Sequence, residues 1–81
     1  MNEPYAMITR TERDRAGNAG TTEMLGSHPT VEVAKGYAEA IGCQHGARKD
    51  ALTWREFSPT TWGLMNGQAY TYIRVSWIDN R

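Results

Sequence analysis

Residues Thr61–Ile78 read TWGLMNGQAYTYIRVSWI, and the pair at their centre, Asn66-Gly67, decides the fold. Asn-Gly between two runs of alternating hydrophobicity is the strongest short-range signal for a β-hairpin, because both central residues of a type I′ turn need positive φ. The reading makes Thr61–Met65 one strand and Gln68–Ile78 the next. With Asn66-Gly67 as the loop, Met65 faces Gln68, Leu64 faces Ala69 and Trp62 faces Thr71. Directly opposed residues share a face of the sheet. One face therefore collects Trp62, Leu64, Ala69, Thr71, Ile73, Val75 and Trp77, which is the composition of a core.

Working back along the chain, Leu52–Phe57 (LTWREF) is a further strand, closed off by Ser58-Pro59-Thr60. Before it, Val31, Ala34, Tyr37, Ala38 and Ile41 recur at the three/four spacing of one helical face. Thr30 is placed to cap that helix by accepting from a free first-turn amide, and Glu32 sits where the helix dipole favours an anion. Gly46 after His45 supplies a stop, so the spacing predicts a helix over Thr30–His45, entered through His28-Pro29. Glu32, Lys35 and Glu39 fall on another face at spacings where opposite charges meet. The run Tyr5–Arg13 (YAMITRTER) alternates, with Ala6, Ile8 and Arg10 on one side and Tyr5, Met7 and Thr9 on the other. Asp14–Gly20 is turn chemistry, and Thr21–Leu25 returns as a short second strand. The order is ββαβββ. It predicts a single α+β domain over residues 1–81, a two-layer sandwich of an antiparallel sheet with one packed helix.

Eighty-one residues with 40% hydrophobic side chains and eight aromatics (three Trp, four Tyr, one Phe) exclude a disordered tail. Nine Lys+Arg against nine Asp+Glu leave no net charge, so the chain is not a polybasic protein. Cys43 is the single cysteine, which excludes an internal disulfide and suits a reducing compartment. Met1-Asn2-Glu3-Pro4 lacks the layout of a signal peptide, and no run approaches the ~20 apolar residues of a membrane helix. The expectation is a cytoplasmic protein with no membrane partner.

The hairpin pairing that builds the core turns Met65, Gln68, Tyr70, Tyr72 and Arg74 to the opposite side. Thr53 and Arg55 join them if Leu52 and Trp54 point inward. One helix covers one face only, so this second face has no cover of its own. Tyr70, Tyr72, Arg74, Met65 and Arg55 are the candidate partner-binding residues, since aromatics, Met and Arg are enriched at protein interfaces. A protein partner or a second copy of the chain is the first expectation. Nucleic acid is the alternative, through the same Tyr/Arg face or through Arg10, Arg13 and Arg15 of the first hairpin. Against it stand the zero net charge and the carboxylates Glu12 and Asp14 between those arginines. The plain alternative to both is that Tyr and Thr favour strands and Arg74 shields an exposed sheet.

Candidates for chemistry are few. Cys43-x-His45 resembles a fragment of a metal site, but a closed zinc site needs four ligands, and His28 with a carboxylate is the best completion on offer. His45 reads instead as packing at the core edge, and Cys43 as a small buried or half-buried thiol. No Gly-rich phosphate loop occurs, and Glu12 and Asp14 alternate with arginines as on a solvated hairpin with local ion pairs. No enzyme activity, metal or cofactor is expected. The arginine-heavy basic set (seven Arg, two Lys), the segment HPTVEVAKGYAEAI, and LTWREF, TWG and NGQAYTY near the end are similar to small reading frames of actinobacteria and their phages and plasmids. That resemblance implies an accessory or host-takeover role and transfers no functional residue. The hairpin-then-helix opening also resembles the arm-type DNA-binding domains of phage integrases, although the three strands after the helix depart from that order.

Overall fold

The computed structural model describes residues 3–13 and 16–79. β1 (Tyr5–Arg13) and β2 (Ala19–His28) form a hairpin, and α1 (Val31–Gln44) follows. A 3-10 turn at Lys49–Ala51 leads into β3 (Leu52–Ser58), β4 (Thr61–Asn66) and β5 (Ala69–Ile78). The five strands make one antiparallel sheet in the order β2-β1-β5-β4-β3, so the last strand joins the two hairpins by pairing with β1. α1 packs on one face, against β5, β1, β2 and β4. This is the two-layer α+β sandwich with the order ββαβββ that the sequence predicts. Among the described residues, no helix is long and apolar enough to cross a membrane.

The helix begins where its cap permits. Thr30 is extended (φ −135°, ψ 158°) and its hydroxyl accepts from the Val33 amide at 3.2 Å, while His45 caps the other end and Gly46 leaves the helix at φ +94°. Ala34, Ala38 and Gly42 are its buried residues, a narrow stripe of small side chains that brings the backbone close to the sheet. A methyl group at Gly42 would sit 2.9 Å from Leu64 Cδ2. Opposite this stripe, Ala6, Ile8, Leu64, Ile73 and Val75 are fully buried or nearly so. Each large aliphatic among them stabilises the fold by roughly 1.5–3 kcal/mol. Val31, Ile41, Leu25, Leu52, Trp54, Trp62 and Trp77 pack around them.

Several expectations need correction. Tyr37 is 58% exposed, not part of the core. As the neighbour of Ala38 it is turned by about 100° from the centre of the buried stripe, and it stacks on His28 at 4.4 Å. His28 itself ends β2, which is longer than Thr21–Leu25 and irregular at two places in its pairing with β1. His45 is exposed at the cap and does not pack at the core edge. Lys35 and Glu39 do not pair along the helix. They reach the sheet, Lys35 Nζ lying over the Trp54 and Trp62 rings at 5.4 and 4.9 Å and Glu39 accepting from Trp54 Nε1 at 2.9 Å.

The β4–β5 turn also differs. Asn66 pairs with Ala69, leaving Gly67 and Gln68 as the central residues. Gly67 alone of these has positive φ (+63°), the pattern of a type II′ turn and not of I′. Beyond the turn Met65 opposes Tyr70, and past an irregularity Trp62 opposes Val75 in place of Thr71. The register is displaced by two residues near the turn and by four beyond it. Both are even numbers, so the assignment of side chains to faces survives. Ala69, expected in the core, is exposed at the end of the strand.

Candidate functional site: the uncovered sheet face

Strand alternation and register define the face that α1 leaves open. Met7, Thr9 and Arg13 of β1, Tyr70, Tyr72, Arg74 and Ser76 of β5, Gly63 and Met65 of β4, and Thr53, Arg55 and Phe57 of β3 belong to it. Leu52 and Trp54 do point to the helix side, which fixes Arg55 on this one. All five candidate partner-binding residues thus share one surface. Tyr70, Tyr72 and Met65 are half-buried, and Arg55 and Arg74 are exposed.

A β5 irregularity shapes the centre of this face. Between Gly63 and Met65 of β4, the partner strand carries extra residues, and Tyr72 in that segment takes φ +63°. The interrupted ladder leaves the Leu64 carbonyl to Thr71, whose hydroxyl donates to it at 2.7 Å and accepts from the Ile73 amide at 3.3 Å. Thr71 therefore carries out the hydrogen bonding that the backbone omits. The deviation sets the Tyr72 ring beside Tyr70, with centroids 4.7 Å apart.

Gly63 forms the floor. A methyl group there would overlap the Phe57 ring and come within 3.0 Å of Tyr70 Cε1, so its missing side chain is what lets the two rings meet edge to face at 5.4 Å. Arg74 Nε donates to the Tyr70 hydroxyl at 2.6 Å, and its guanidinium lies 5.2 Å from the Phe57 centroid and 5.8 Å from that of Tyr70. Arg55 also approaches Phe57, at 6.0 Å from its centroid. Arg13 lies 4.7 Å from the Tyr72 centroid and donates to the Gly17 carbonyl, which ties the first hairpin to the cluster. Three arginines from three strands stand against three aromatic rings.

The charges divide between the two sides of the sheet. Glu12, Glu23 and Glu56, the carboxylates within strands, take helix-side positions: Glu23 opposes Arg10, Glu56 opposes Trp62, and Glu12 follows Arg10 in alternation. Glu32 and Glu39 are on α1 and Asp50 is in the 3-10 turn. Among the described residues, ion pairs join Arg10 to Glu12 at 3.8 Å and Arg48 to Asp50 at 3.1 Å. Neither involves Arg13, Arg55 or Arg74.

The three hairpin arginines of the nucleic-acid alternative do not act together. Arg10 is on the helix side, Arg13 joins the open face, and Arg15 and its neighbour Asp14 lie outside the described residues. Phe57 and Gly63 were not singled out from the sequence. The signal for Phe57 was present, since it alternates with Thr53 and Arg55. Gly63 carried none, because its role is space for two rings from other strands. Cys43 is half-buried and lines a shallow hollow of about 470 Å³ with Glu39 and Lys49 on the helix side. His28 and His45 lie at opposite ends of α1, separated by about 20 Å of helix. No protein-family model, curated protein or solved structure matches the chain.

Proposed function

We propose that the protein is a small non-enzymatic binding module of the cytoplasm, acting through the uncovered face of its sheet on an anionic partner. The observation that carries this reading is the cluster of Arg13, Arg55 and Arg74 against Phe57, Tyr70 and Tyr72, on a face whose strands contribute no carboxylate. Arg and aromatic side chains are the types that dominate binding energy at interfaces. Self-association through this face is disfavoured, because a two-fold contact would bring the same three arginines of each copy together with no acid to meet them. An accessory role of the kind the sequence resemblance implies fits a module without chemistry of its own.

NMR titration with polyglutamate and, separately, with an oligonucleotide tests this. At least one polyanion is expected to shift the resonances of Arg55, Tyr70, Tyr72 and Arg74 and to leave those of α1 unmoved. Light scattering over a dilution series is expected to give a monomer throughout. Shifts confined to α1, or no response to either polyanion, overturn the reading.

A further inference from the structure

We infer that the anionic partner is a single-stranded nucleic acid, its bases stacked on Phe57, Tyr70 and Tyr72 and its phosphates held by Arg13, Arg55 and Arg74. This rests on the reading of the open face as a binding surface. Three observations select this class. First, rings and guanidinium groups are interleaved at 4.7–6.0 Å. A nucleic-acid strand presents planar bases and phosphates in the same alternation, whereas an acidic peptide calls only for the cations. Second, Thr9 and Ser76 of β1 and β5 and Thr53 and Thr61 of the other hairpin frame the cluster with hydroxyl groups, which serve phosphate and sugar oxygens. Third, Tyr72 is held in a left-handed backbone conformation that brings its ring beside Tyr70. Such conformations are unfavourable for a non-glycine residue and concentrate at functional sites.

The breadth of the face argues against insertion into a duplex groove. Five strands at about 4.8 Å spacing make a surface about 19 Å across, too wide to enter a major groove of about 12 Å. Arg74 and Arg55 flank Gly63 in one cross-strand row, about two strand spacings apart, on a surface broad enough for an extended strand.

Fluorescence anisotropy with a labelled single-stranded twelve-nucleotide pyrimidine oligomer provides the test, with the same length of duplex and polyglutamate as competitors. Three phosphate contacts predict a slope of log K against log[salt] of about −2, and Arg74→Gln should reduce its magnitude by about 0.7. Tyr72→Leu and Phe57→Leu should each weaken binding about tenfold with the slope unchanged. Circular dichroism melts establish that each variant is folded. Ring variants that bind as well as the parent, or a duplex that competes as well as the single strand, overturn the proposal. If polyglutamate binds and the oligomer does not, the partner is an acidic protein, and the open-face reading stands without the nucleic acid. If neither binds, both fall.

Discussion

Tyr72 and Gly67 share a φ of +63°, and the contrast between them separates function from folding. Gly67 sits in the β4–β5 turn with nothing near the position of an added Cβ, so a substitution there feels the backbone alone. Gly67→Val should destabilise by about 1–2 kcal/mol, since the first central position of a type II′ turn is a glycine position. The urea midpoint at constant m-value measures this; an unchanged midpoint would mean that the turn relaxes to negative φ. At Tyr72 the same conformational cost is borne by a side chain with a ring. Tyr72→Gly removes aromatic contacts and relieves the backbone together, so its melting free energy should stay within about 1 kcal/mol of the parent. Tyr70→Gly gains no such relief and should cost clearly more. Should Tyr72→Gly prove the more damaging of the two, the ring at 72 is a stabilising element and the argument from strain fails. Thr71 gives a third case: Thr71→Val keeps the shape but leaves the Leu64 carbonyl without its 2.7 Å donor, for a loss of about 1–3 kcal/mol.

Between elements, the decisive contact is that of β3 with β5 across the back of β4. Phe57 and Tyr70 reach each other because β4 has a glycine at 63. Gly63→Ala must push Phe57 off the sheet, an overpacking that costs about 1–3 kcal/mol. In a Phe57→Ala background much of this cost should vanish, giving a coupling energy of at least about 0.5 kcal/mol in a double-mutant cycle. Strict additivity would mean that the overlap is absorbed by the backbone. This contact also shows what the sequence carried. Alternation in Leu52–Phe57 and Gln68–Ile78 assigned side chains to faces correctly, and those assignments survived an error in register because the displacement was even. The bulge at Tyr72 and the opening at Gly63 were not legible. Both depend on which residues of other strands arrive at one place, and no local propensity encodes that. On the helix the limit was angular: three/four spacing admitted Tyr37 to the core face, while packing buried the Ala34–Ala38–Gly42 stripe, kept Val31 and Ile41 at its edge and left Tyr37 outside.

For the molecule as a whole, zero net charge argued against an anionic ligand only while the charges were taken as mixed. They are sorted by face of the sheet, and what lies between a charge and the open face decides what a ligand feels. Charges at physiological salt are screened beyond about 8 Å, and the α1 carboxylates lie on the helix layer, on the far side of the sheet from the arginines. A ligand on the open face therefore meets Arg13, Arg55 and Arg74 directly, is largely shielded from the carboxylates of α1, and feels Glu12 and Glu56 only through the sheet, from whose far side they project. The protein should be retained on a cation-exchange resin at neutral pH and near-physiological salt despite its formal charge of zero. Replacing Arg13, Arg55 and Arg74 by Gln brings the formal charge from 0 to −3 and should abolish retention. Replacing Arg10, Arg48 and Lys49 by Gln gives the same −3 from positions off the open face, and should leave most of the retention in place. Equal losses in the two triple variants would show that the protein responds to its total charge. Orientation, and with it the electrostatic case for a binding face, would then have no support.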